Sequence, residues 1–243
     1  MSGPQKKTAI VTGASQGIGA GVVKRFVERG FNVIATARSV FQSTEVSDSE
    51  QVALVDGDIG DPATAARIAG TAMSRFGSID ALVNNAGIFF TKPFTDYTAA
   101  DFKSLVSTNL EGFFYVTQLA IKQMLAQKRG GSIVTITAAL ARNPIRGVTA
   151  SVPMLTKGGL ATITQHLAME YAKEGIRVNA VAPGVVHTPL HRNTPKEVME
   201  SLSPMGLPST VKEITDSVMY LTEATTVTGE TLYVDGGAHV GSW

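Results

Sequence analysis

The sequence predicts a doubly wound α/β domain, a parallel sheet of about seven strands with helices on both faces. Two patterns carry this. Short β-branched apolar runs alternate with longer amphipathic segments from one end of the chain to the other. The runs are apolar throughout instead of alternating, as strands covered on both faces require. A third observation, the absence of any linker, repeat or low-complexity stretch in the 243 residues, predicts a single domain spanning 1–243.

Taken in order, Thr8–Thr12 reads as the first strand, followed by a helix over Ile18–Arg29 that Gly30 closes. Phe31–Ala37 and Gln51–Val55 read as the second and third strands. Asp61 and Pro62 supply a cap and a first-position proline for a helix from about Asp61 to Phe76. Ala81–Val83 is a fourth strand, and one long helix is expected over Thr98–Gln127. Ser132–Ile136, Arg177–Val181 and Thr231–Val234 complete the strands, with helices over Met154–Lys173 and Val211–Thr222 between them. The stretch 183–209 is rich in proline, carries two histidines and lacks periodicity, so it is expected as an irregular binding loop.

Composition narrows the function. A net charge of +1 gives no basic surface for nucleic acid or anionic membrane. The chain has no cysteine, which rules out thiolate metal sites and a cysteine nucleophile, and no metal site is expected. Met1 to Lys7 is polar, and no stretch approaches the roughly 18 apolar residues of a membrane span. The expectation is a soluble cytoplasmic protein.

Gly13, Gly17 and Gly19 lie where the first strand turns into the first helix. Glycines there permit a tight turn and close approach of backbone amides to a pyrophosphate, and the helix start adds unpaired N–H groups and the positive end of its dipole. This is a Rossmann-type arrangement for a dinucleotide.

The spacing Gly-x-x-x-Gly-x-Gly resembles that of the short-chain dehydrogenase/reductase family. Other marks follow in order: Asn84-Asn85-Ala86-Gly87, Asn109, Lys157, the run Arg177–Gly184, and Asp235-Gly236-Gly237. The resemblance spans essentially the whole chain. It implies that Gly13, Ser15, Gln16, Gly17, Ile18 and Gly19 form the phosphate turn and that Asp58 and Ile59 flank the adenine. It further implies that Asn85, Ala86 and Gly87 pass behind the cofactor, that Lys157 binds the nicotinamide ribose, and that Pro183, Gly184, Val186 and Thr188 hold the nicotinamide. It implies a small-molecule substrate and assembly as a homotetramer or homodimer, for which the apolar Glu111–Leu125 segment and the terminal Trp243 are candidates.

The second strand ends on Ala37 and Arg38, with no carboxylate to meet ribose hydroxyls or repel a 2′-phosphate. Arg38 offers a permanently charged planar donor. NADP(H) is therefore preferred, with NAD(H) as the alternative. Gln16 weighs against NADP, since many relatives carry a basic residue in the turn.

At the catalytic positions the chain departs from the resemblance. The family places a tyrosine four residues before the lysine and a serine after the fifth strand; here those positions read Pro153 and Ala138. Asn109 and Lys157 remain as catalytic candidates. Ser151 is read either as the cap of the next helix or, with Thr149 or Thr137, as a group reaching substrate. His187 or His191 could supply a proton. Two functions stay open: an oxidoreductase acting on a small carbonyl, alcohol or imine by an altered proton path, or a cofactor-binding sensor or regulatory subunit without turnover. An enoyl reductase is a weaker third, because the tyrosine that branch places seven residues before the lysine is Ala150 here.

Overall fold

In the computed structural model, which describes residues 6–241, seven strands form one sheet in the order β3-β2-β1-β4-β5-β6-β7. They are β1 (Thr8–Thr12), β2 (Asn32–Ala37), β3 (Val52–Asp56), β4 (Ala81–Asn84), β5 (Gly131–Ile136), β6 (Ile176–Pro183) and β7 (Thr231–Val234). Every pairing is parallel. Parallel strands need crossover connections, and the helices supply them: α1 (Gly17–Glu28), α2 (Pro62–Phe76), α3 (Ala99–Val106), α4 (Gly112–Gln127), α5 (Ser151–Glu170), α6 (Lys196–Ser201) and α7 (Val211–Glu223).

Burial on both faces explains the unbroken apolar strands. Val22, Val23 and Phe26 of α1 and Ile214 and Val218 of α7 pack on one face against Val11, Ala35 and Val134. Ile68 and Ala72 of α2, Val116 and Met124 of α4 and Ala168 of α5 pack on the other against Ile10, Leu82 and Ile133. The strand order turns back between β1 and β4, and the carboxyl ends of strands at such a point open into a crevice.

Four local expectations are corrected. The long helix predicted over Thr98–Gln127 is interrupted by a wider π turn at Ser107–Glu111 between α3 and α4. Gly112 there lies against Ile59, to which an added Cβ would approach within 2.6 Å. Helix α5 starts at Ser151, three residues earlier than expected, and ends at Glu170. Its cap is Ala150, with no side-chain bond, so Ser151 is not the cap. The stretch 183–209 is not wholly irregular: it holds a short turn at Pro189–His191 and helix α6, and a bridge between Val186 and Ser209 ties its two ends. Trp243 lies outside the described residues.

Candidate active site

At the strand reversal lies a cleft of about 1460 Å³. That exceeds the roughly 300–1,000 Å³ of a pocket for one drug-sized ligand, leaving room for a long ligand and a second small one. Its floor at one end is the turn from β1 to α1. Gly13 adopts φ +64°, and a Cβ on it would meet the Ala86 backbone at 2.8 Å. Gly19 has an ordinary backbone, but a Cβ on it would lie 2.1 Å from the Gly13 carbonyl oxygen. The turn is therefore as tight as the backbone allows.

Asn85 holds that turn against β4. Its Nδ2 donates to the Thr12 and Gly13 carbonyls at 3.0 Å each. The Asn85 and Ala86 amides both donate to Thr12 Oγ1 at 3.0 Å. Thr12 was not singled out in the sequence; a polar residue closing a buried strand was the signal that could have found it. Gln16 precedes α1 and makes no capping bond, so the first-turn amides have no side-chain acceptor. Arg38 lines the cleft where β2 ends, is exposed, and makes no side-chain bond among the described residues.

Of the residues expected around a dinucleotide, Gly13, Ser15, Gln16, Gly17, Ile18, Arg38, Asp58, Ile59, Asn85, Ala86, Gly87, Lys157, Pro183, Gly184, Val186 and Thr188 all line this one cleft. Gly19 lies behind it, in the packing of the turn. Asp58 Oδ1 accepts from the Gly60 amide at 3.0 Å, fixing the corner after β3. Thr188 and Pro189 pack on Gly17, bringing the start of the 183–209 stretch over the turn.

Lys157 is buried, and its Nζ donates to the Ile136 carbonyl at 2.8 Å. Burial pushes its ammonium down to about 8. Asn109 does not line the cleft. It is buried in the π turn, where its Oδ1 accepts from the Ile88 amide at 2.9 Å and its Nδ2 donates to the Ile88 carbonyl at 3.1 Å and to Thr156 Oγ1 at 2.9 Å. It fastens the segment after β4 to α5, one residue from Lys157. Thr156, which completes this link, was also missed in the sequence.

The remaining candidates separate. Ser151 is exposed and does not line the cleft. His187 is exposed and does not line it either; its backbone amide donates to the Ser209 carbonyl at 3.1 Å. His191 takes the wall position instead, and burial together with the neighbouring His187 pushes its imidazolium below the ordinary histidine range. Ala138, Thr137 and Thr149 line the cleft, and Pro153 is buried in the first turn of α5. Among the described residues no tyrosine lines the cleft. Tyr97, near its rim, spends its hydroxyl on the Phe90 carbonyl at 2.9 Å.

Residues 13–239 match the family model described as enoyl-(acyl carrier protein) reductase. The chain is 37% identical to a tropinone reductase homolog of Arabidopsis thaliana, over 98% of this chain and 95% of the relative. Among solved structures it is similar to ElxO with NADP bound, with a TM-score of 0.86, 27% identity and coverage of 96% of this chain and 98% of that one. It is also similar to a 3-ketoacyl-(acyl-carrier-protein) reductase from Brucella melitensis complexed with NADH, with a TM-score of 0.88, 28% identity and coverage of 98% and 100%. The sheet order, the glycine turn and the cleft define a dinucleotide-binding oxidoreductase fold, and the chain belongs to the short-chain dehydrogenase/reductase family. It is an oxidoreductase of the NAD(P)-dependent type.

Proposed function

We propose that the protein transfers hydride between NADP(H) and a small carbonyl, alcohol or imine compound, with a proton path that uses neither the tyrosine nor the serine of its relatives. The observation that carries this reading is Lys157: a buried ammonium opening on the cleft, with no phenol among the lining residues.

The residues present fit a dinucleotide. The turn at Gly13 to Gly19 presents first-turn amides to a pyrophosphate. Arg38 stands unpaired where a 2′-phosphate would be recognised. The segment Pro183 to Thr188 lines the same cleft and reaches back to the turn, where Thr188 packs on Gly17. When bound, the nicotinamide supplies or accepts the hydride. The chain itself must manage the charge on the substrate oxygen. Proton transfer by a positioned group contributes about 10²–10⁴-fold. Lys157 is the protein group placed for it, acting on the substrate directly or through a hydroxyl or water. Asn109 is a positioning residue, because it joins the Gly87-Ile88 segment to the helix that carries Lys157. Neither His187 nor Ser151 is given a role, since neither reaches the cleft wall.

The test is oxidation of NADPH by the purified protein against panels of ketones, imines and enones. Turnover with at least one class supports the reading. Tight NADPH binding without turnover against any class contradicts it and favours a sensor.

A further inference from the structure

The cleft's two ends differ in chemistry. Away from the glycine turn, its walls come from the segments after β4 and β5, and the segment after β6 runs on from Thr188 and Pro189, which pack on Gly17, to complete the lining. The inner surface is apolar, formed by Ile88, Phe89, Phe90, Leu140, Ile145 and Val148. Its charge is one-sided. Of the charged or titratable residues in 138–150 and 183–195, Arg192 and His191 line the cleft and Arg146 stands between the lining residues Ile145 and Gly147, while Arg142 lines a separate pocket beside Glu230; the two segments contain no aspartate or glutamate. The third wall adds Lys92, which Asp101 neutralises at 2.7 Å, and the exposed Asp96, which does not line the cleft. The chain as a whole carries only +1, so the excess of positive charge here is local.

Arg192 is the arginine of that group that lines the cleft itself, beside Leu190 and His191. It is exposed and makes no side-chain bond or ion pair among the described residues. Arg25, Arg29, Arg75 and Arg129 each pair with a carboxylate, whereas Arg38 and Arg142, like Arg192, make no side-chain bond among the described residues. Arg146 is also unpaired and exposed, in the loop whose neighbours Ile145 and Gly147 line the cleft. Asp58, the carboxylate on the cleft wall, stands after β3 at the adenine end and is already bonded to the Gly60 amide.

We propose that the substrate is an amphiphilic anion, an oxo or hydroxy acid whose apolar body lies against the Phe90 and Ile145 walls and whose carboxylate is held at the mouth by Arg192. This rests on the oxidoreductase reading and names its substrate class. A guanidinium matches a carboxylate with two parallel N–H donors, and the surrounding Arg146 field steers an anion toward the opening. Asp58 is the one carboxylate among the lining residues, so a substrate cation such as an iminium would find no second one on the cleft wall.

The experiment compares straight-chain oxo acids of increasing length with their methyl esters as NADPH-dependent substrates, in the parent and in Arg192→Gln and Arg192→Glu. The acids should have the lower KM in the parent. The acid-over-ester preference should fall about fivefold in Arg192→Gln, reverse in Arg192→Glu, and shrink as ionic strength rises. Equal KM values for acid and ester in the parent, or a preference unchanged in both variants, overturns the proposal while leaving the oxidoreductase reading intact. If no compound is turned over, that reading fails. Calorimetry of the same acids and esters on the protein, with and without NADP⁺, then decides the present inference alone. Tighter binding of acids that Arg192→Gln weakens supports it, and equal or undetectable binding overturns it. NADPH affinity, measured in parallel, confirms that the variants are folded.

Discussion

Lys157 Nζ donates to the main-chain carbonyl of Ile136 at 2.8 Å, which ties helix α5 to the end of strand β5 through a buried ammonium. The bond satisfies one of three N–H donors and leaves the others toward the cleft. Among the described residues no carboxylate offsets the charge, so its burial costs free energy that the rest of the fold must supply.

Lys157→Met should therefore stabilise the protein in the absence of cofactor. The depression from 10.5 to about 8 corresponds to about 3 kcal/mol, and losing the Ile136 bond returns about 1 kcal/mol, leaving a gain of about 2 kcal/mol. Below pH 8 the lysine is charged in both states and the penalty is full. Between pH 8 and 10.5 the native state has released its proton while the unfolded state keeps it, so the parent gains stability with rising pH and the advantage of the variant shrinks. Chemical denaturation at several pH values checks this; a variant less stable than the parent at pH 7 contradicts it.

Arg38→Ala should weaken NADPH by about tenfold and leave NADH little changed, because the side chain has no partner to lose among the described residues. Equal affinities for the two cofactors in the parent would remove the basis for NADP preference.

Asn109→Ala should destabilise the protein by about 2–4 kcal/mol, since it strands the Ile88 amide and carbonyl and frees Thr156 in a buried setting. The same change should slow turnover by loosening α5. A denaturation midpoint equal to the parent's, with an unchanged slope, would refute the positioning role.

Much of the fold was legible because it is local. β1 and β7 match their predicted bounds, and Asp61 caps α2 as its sequence implies, accepting from the Ala63 amide at 2.9 Å. What was not legible depends on distant partners. The π turn at Ser107–Glu111 exists where Asn109 reaches Ile88 and Gly112 meets Ile59, contacts no helical periodicity encodes. The start of α5 was misplaced because a proline at the third helical position forfeits no intrahelical bond, so the helix begins at Ser151 and not beyond Pro153. In the site, the glycine turn was readable because its geometry demands glycine. His187 and His191 were indistinguishable by sequence; the Val186–Ser209 bridge decides which of them meets the cleft.

Self-association is expected through the exposed apolar side chains of α4 and α5. Phe114 is 55%, Leu155 61% and Met169 81% exposed in the isolated chain, more than a lone surface normally leaves to water. Sedimentation at micromolar concentration should give a dimer or tetramer, and a monomer would contradict the expectation.

Pro153→Tyr alone should not produce an efficient carbonyl reductase. On the proposed reading Ala138 and Pro153 occupy the serine and tyrosine positions, so a restored ring would face no serine. A gain in turnover above about a hundredfold in this variant would show that the loop still holds a working acid position.

The most direct measurement is single-turnover hydride transfer in the parent and in Lys157→Ala, with NADPH affinity titrated in both. Transfer is expected in the parent and should be lost in the variant even at saturating NADPH. Full-rate transfer in Lys157→Ala would contradict this expectation.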